Sequence, residues 1–190
     1  MYKKLIFFAV LLSIISCGNN KFTKIEQEEY INKGKEITKT SFDELSTNLM
    51  TQMKLGGPQQ AVTFCNTQAM PITHKMAEKF NVTVKRTSDR VRNSENKATE
   101  RELQVIAAYK TLLENNSELS PIVEINSDKN KQFYAPIIIN EKCLVCHGKP
   151  NEQLNVKTDS LIKSFYPLDK AIGYKNGDLR GIWSIEFKNN

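Results

Sequence analysis

Apolar residues follow one spacing before Pro121 and another after it. In the first part they recur three and four residues apart. Tyr30, Ile31, Ile37, Phe42, Leu45, Leu49 and Met53 predict an amphipathic helix from Ile25 to about Leu55. Gly56 and Gly57 end it, and Pro58 suits the first turn of a second helix. Ala61, Phe64, Cys65, Ile72 and Met76 line one side of that helix, which Pro71 is expected to kink or divide. A third helix starts at Thr99, because Thr99 and Glu102 have the spacing of a capping box. Its expected apolar face is Leu103, Ile106, Ala107, Tyr109 and Leu113. After Pro121 the segments PIVEI, QFYAPIII and LRGIWSIEF are β-branched and aromatic, the last with alternation, and Asn176-Gly177 signals a turn before it. The expected class is α+β: N-terminal helices followed by a small antiparallel sheet.

The first residues belong to neither pattern. Lys3 and Lys4 precede an apolar run from Leu5 to Ile15. Eleven residues are too few to cross a bilayer core, which takes roughly 20 in a helix. They fit the central region of a secretory signal. Ile14-Ile15-Ser16-Cys17 resembles the end of a bacterial lipoprotein signal, so Cys17 is expected to become an acylated N-terminus. Acyl chains anchor a protein without spanning the bilayer. The expected division is residues 1–16 as signal, 17–24 as lipidated tether and 25–190 as a single domain. Gly18 rather than Asp follows the cysteine, so nothing asks for retention in the inner membrane. The expected location is the bacterial cell envelope, on the outer membrane and facing the periplasm. Losing Lys3 and Lys4 takes the formal charge from +6 to +4. The remaining charges are scattered along helices of an exported protein, so no nucleic-acid partner is expected.

Cysteine usage then becomes informative. Besides Cys17 the chain has Cys65, Cys143 and Cys146, an odd number for a disulfide framework. Cys143, Cys146 and His147 form the pattern C-x-x-C-H, the signature of c-type haem attachment. Positions i and i+3 share one face of a helical turn, so both sulfurs can reach the two vinyls of one porphyrin edge. The next residue then brings an imidazole to the iron. The cofactor expected is one covalent haem c. A structural zinc site is the competing reading, with Cys65 or His74 completing four ligands. A thioredoxin-like pair is another, but no strand–helix unit of that kind precedes the motif. For a second axial ligand the residues leave Cys65, Met70 and His74 open. Cys65 on an apolar helix face is equally an ordinary buried hydrophobe. His74, among Lys75, Glu78 and Lys79, reads as part of a solvated face. In KRTSDRVRN, Arg86 and Arg92 are candidates to pair with haem propionates, since guanidinium matches carboxylate in two-point contact. Arg90 reads as surface, and the whole run is equally a solvated basic loop. Tyr166, Tyr174 and Arg180 either line the pocket or pack the sheet.

Four stretches, AVTFCNTQAMPI, VKRTSDRVRNSENKATERE, FYAPIII…CLVCHG and FYPLDKAIGYKNGDLRGIWSIEF, are together similar to a family of small bacterial haem-c proteins first known as a domain of unknown function. The likeness runs from about Phe42 to Phe187. It implies a PAS-like sheet holding one covalent haem behind a helical N-terminal extension. It also implies Cys65 as the second axial ligand. The chain departs from the family pattern at Met70 and Ser94. Relatives stand alone or form the extracytoplasmic end of signalling proteins. Two roles follow: a lipid-anchored electron carrier, or a redox or gas sensor module. No output domain follows Asn190, so a sensor is expected to act through a separate partner protein. No second histidine or acid near the motif suggests peroxide chemistry, and no enzymatic activity is expected.

Overall fold

The computed structural model describes residues 22–188; the expected signal and Cys17 lie outside the described residues. Helix α1 runs Lys24–Phe80, interrupted only at Gly56 and Gly57. Gly57 has φ 69° and ψ −161°, a backbone conformation that favours glycine. The two arms, residues 24–55 and 58–80, fold back on each other. Gln60 donates to Gln52 across the bend at 3.0 Å, and at the far end Tyr30 and Phe80 border the same cleft. Thr23 and Glu26 form a reciprocal cap that starts the first arm, at the last residue of the expected tether.

Pro71 does not divide the second arm, which stays helical through it. Proline removes one backbone donor and frees the carbonyl four residues back. Here that carbonyl belongs to Thr67, and both residues are exposed, so water can satisfy it.

Strand β1 is Thr83–Thr87, helix α2 Glu100–Glu114, β2 Ile122–Ile125, β3 Lys131–Ile138, helical turn α3 Leu144–His147, helix α4 Val156–Phe165 and β4 Leu179–Phe187. The strands form one sheet in the order β1-β4-β3-β2, antiparallel throughout. The fold is α+β with a PAS-like antiparallel sheet. β1 is the strand that the sequence patterning did not predict; its Lys85–Thr87 end opens the basic run in which a solvated loop was one of two readings.

Both faces of the sheet are covered. Phe133, Ala135, Trp183, Ile185 and Phe187 pack on one face against Ile37, Leu45, Ala77 and Phe80 of α1. On the other face Tyr134 and Ile182 pack against Val105, Ile106 and Tyr109 of α2. This explains why seven of the nine residues of β4 are buried, where alternation predicts half. The buried face of α2 is also rotated from the expected one. Glu102, Val105, Ile106 and Tyr109 point in, while Leu103 and Ala107 are exposed. The cap is the cause. Glu102 turns inward to accept from the Thr99 amide at 2.7 Å and from Lys85 at 2.8 Å, which sends residue 103 outward.

Helix α1 meets the sheet most closely at Gly34. A Cβ there would lie 2.2 Å from the Phe133 ring. Gly34→Ala should therefore lower the melting temperature, with overpacking costing about 1–3 kcal/mol. That outweighs the roughly 1 kcal/mol by which alanine is preferred within a helix. A melting temperature that rises would show that the helix can slide off the ring.

Candidate functional site

The chain leaves β3 at Ile138 and turns at once into the cysteine motif. The Asn140 side chain accepts from the Lys142 amide at 3.0 Å, and its backbone carbonyl accepts from the Cys143 amide at 2.9 Å. That local cap starts a short 3-10 turn, Glu141–Cys143, which continues into α3. Cys143 has helical φ and ψ, so residues 143–147 wind as one stretch with both thiols on one side. Gly148 ends the winding by donating to the Leu144 carbonyl at 2.8 Å; a Cβ at residue 148 would lie 2.6 Å from that oxygen.

His147 Nδ1 lies 2.6 Å from the carbonyl oxygen of Ala171. A carbonyl can only accept, so Nδ1 carries the proton and Nε2 keeps its lone pair. Part of the His147 surface is open, but the ring nitrogens lie deep. Loss of hydration, aided by the Arg92, Arg180 and Arg90 guanidiniums, holds its pKa well below the ordinary histidine range. The ring also meets Tyr174 edge-on, 6.2 Å between centroids.

The segment that supplies the Ala171 carbonyl, residues 169–174, belongs to no helix or strand. It is held from two sides. Gly173 and Tyr174 amides donate to the Gly148 and His147 carbonyls at 2.8 and 2.9 Å. From the other side, the Lys170 amide donates to the Val91 carbonyl at 2.9 Å. Arg90 donates to the carbonyls of Lys170 and Ile172. Arg92 donates to Ala171 at 3.2 Å and to the Cys146 carbonyl at 2.7 Å, and it pairs with buried Asp169 at 3.1 Å. Asp169 in turn accepts from the Ala171 amide at 2.8 Å.

Arg90, expected on the surface, is thus partly buried, with its guanidinium 4.1 Å from the centre of the Tyr174 ring. Arg92 is engaged by protein groups on three sides. Arg86 differs. It sits on β1 beside Trp183, makes only two long contacts of 3.4 Å with Ala69 O and Thr73 Oγ1, and leaves a buried Nε without a partner. The Tyr174 hydroxyl is likewise buried and makes no hydrogen bond of good geometry, the Arg180 guanidinium being its near polar neighbour. Arg180 donates to the Arg90 carbonyl at 3.1 Å and lies against Tyr174. Tyr166 packs around the α4 core together with Cys146.

Cys65 belongs to the same interior. Val62, one turn before it, packs in the cluster that Cys146 joins. Arg86 and Arg92 are charged neighbours of the Cys65 thiol, and a thiolate there would be felt at Cys146. Burial raises the pKa of Cys65, and it pushes that of Cys146 up to about 11. Cys65, Cys143 and Cys146 are free thiols. His74 is exposed on α1, and Met70 is half-buried. Among the described residues no three His, Cys, Asp or Glu side chains converge to hold a metal ion. Asp169 and Ala171 lie in the FYPLDKAIGY stretch that carries the family likeness, but sequence reasoning gave them no role, because Ala171 acts through its backbone and Asp169 through partners far away in the chain.

The depressed His147 pKa has a consequence for the chain without ligand. The unfolded state takes up a proton near pH 6.5 and the folded state does so only at lower pH, so folding stability falls as pH drops below about 6.5. The melting temperature should therefore fall more steeply between pH 7 and pH 5 in the wild type than in His147→Gln. Parallel curves would mean that the ring is not desolvated.

The chain and its fold have known counterparts. Residues 20–187 match the model of the Tll0287-like family. The crystal structure of the cyanobacterial haem-protein Tll0287 is similar with a TM-score of 0.58 and 20% identity, covering 82% of this chain and 94% of that one. No curated protein matches the chain. The chain belongs to the Tll0287-like family.

Proposed function

We propose that this chain is a lipid-anchored mono-haem protein of the cell envelope, binding one haem c covalently for electron transfer or redox signalling. One observation carries the reading. The C-x-x-C-H stretch is wound so that both thiols share a side, while His147 donates Nδ1–H to Ala171 and keeps Nε2 free. An imidazole with its second nitrogen hydrogen-bonded is oriented to ligate a metal, and this bond fixes the tautomer required. The family membership and the likeness to a solved haem-protein support the same reading.

The residues also fit the rest of the group. Cys143 and Cys146 would form the thioethers and His147 the axial bond. Cys65 stands as the second ligand, near Cys146 and the cations of Arg86 and Arg92. The orphaned Arg86 Nε and the Tyr174 hydroxyl are donors a propionate carboxylate can take. Bound haem supplies one-electron chemistry at iron; the chain's part is to orient the imidazole, exclude water and balance charge. Cys17 would tether the domain to the membrane, with a redox protein as partner. The sensor reading, acting through a separate protein, uses the same site and differs only in what binds the iron.

Protein matured in cells with a haem-c assembly system should keep its haem through denaturation and acid–acetone extraction. Cys143→Ala or Cys146→Ala should leave a single thioether or none. The same wild-type material should fractionate with membranes, and Cys17→Ala should not. A colourless protein carrying zinc would overturn the haem reading, and equal membrane recovery of Cys17→Ala would overturn the anchor.

The second ligand is tested separately. A thiolate is a strong donor that stabilises ferric iron. Cys65→Ala should change the ferric spectrum and raise the reduction potential, while His74→Ala should do neither. An unchanged ferric low-spin spectrum in Cys65→Ala would reduce Cys65 to core packing and make Met70→Ala the next variant to test.

A further inference from the structure

We propose that Arg92 is a positioning residue. Braced by Asp169, it fixes the Ala171 carbonyl that orients His147, and so sets how strongly the imidazole donates to iron. The inference rests on the haem reading and departs from the propionate-binding role that the sequence suggests for this arginine.

The geometry assigns the role. The Ala171 oxygen is shared by two donors, His147 Nδ1 at 2.6 Å and Arg92 Nη2 at 3.2 Å. The same Nη2 reaches the Cys146 carbonyl at 2.7 Å, one residue before the histidine. A single guanidinium nitrogen therefore ties the backbone that carries His147 to the backbone that receives its proton. Asp169 braces the same edge of the guanidinium: its Oδ2 accepts from Arg92 Nε at 3.2 Å and lies 3.1 Å from the charged Nη2. Its other oxygen holds the Ala171 amide at 2.8 Å. The pair is well shielded, at 15% and 3% side-chain exposure, so charge-assisted bonds are strong there and a broken partner is costly.

The sign of the effect follows. The Arg92 cation draws electron density at Ala171 O and weakens that oxygen as an acceptor for His147 Nδ1–H. A weaker acceptor leaves the imidazole a poorer donor, which favours ferrous iron. The cation itself also disfavours the extra positive charge of ferric iron. Asp169 works against both effects. Removing either partner should therefore shift the potential in opposite directions.

The test uses protein matured with its haem and two near-isosteric variants. Arg92→Gln should lower the reduction potential, and Asp169→Asn should raise it, with the haem still covalently attached in both. Shifts of the same sign, or a loss of thermal stability with no shift at all, would overturn the inference and leave the pair a structural clip. A second measurement needs no haem: nitrogen-15 NMR of the His147 ring in the haem-free chain. The wild type should show the Nδ1-protonated tautomer, and Arg92→Gln should keep it while moving the Nδ1 shift toward a stronger hydrogen bond, because the Ala171 oxygen loses its second donor. An unchanged Nδ1 shift also overturns the inference. Wild-type protein without covalent haem would defeat the haem reading instead, and the ring measurement would still decide the role of Arg92. If Arg92→Gln does not fold, Asp169→Asn decides alone, since a fall or no change in potential contradicts the proposal.

Discussion

The bond from His147 Nδ1 to the Ala171 carbonyl demands more of the chain than any other contact at the site. It requires residues 169–174 to hold one conformation without helix or strand. Backbone groups of such a segment must find partners elsewhere. They find them on two flanks: the amides of Gly173 and Tyr174 bond the end of the cysteine motif, while Val91, Arg90 and Arg92 bond residues 170–172. Gly173, at φ 73°, lets the chain change direction between the two sets of bonds. Much of what surrounds the site follows from this clamp. β1 leads the Arg90–Arg92 stretch into place and is itself registered on β4, so that Arg86 stands opposite Trp183. β4 begins five residues after Tyr174 and fixes the segment's other end.

The helical half of the molecule was readable because its signals are local. Three-and-four spacing, a glycine pair and a Thr–Glu cap each act within a few residues. They placed the break at Gly56–Gly57 and the start of α2 correctly. The cysteine motif was readable for the same reason, since one turn of helix contains it. The misreadings outside the helices share a different physics. TVKRT offers only one buried apolar residue, Val84, and is a strand because β4 pairs with it about 100 residues later in the chain. The alternation in LRGIWSIEF was real, but two helical layers bury both faces. Arg90 looked like surface charge, and Arg92 like a propionate partner, because their partners are backbone carbonyls some 54 to 82 residues away. No local pattern encodes such bonds.

Arginine usage at the site carries a further constraint. Arg86, Arg90, Arg92 and Arg180 gather around His147 and Cys65, and of these Arg92 has the one buried carboxylate, Asp169. Burial lowers the pKa of Arg86 and of Arg180, the sign that each charge has lost solvation without an adequate counter-charge. Tyr174 offsets part of this by presenting its ring face to Arg90 and Arg180, an attraction of about 0.5–2 kcal/mol per contact. That is small beside the several kcal/mol by which burying an ion is disfavoured. An interior so built is stabilised by an anionic occupant. Haem has two propionates, and a thiolate from Cys65 would add a third negative charge on the side where Arg86 keeps an unused donor. The four arginines and the cysteine motif then follow from one requirement. On the proposed haem reading the motif would position iron through neutral groups, and the arginines would neutralise what the macrocycle brings with it.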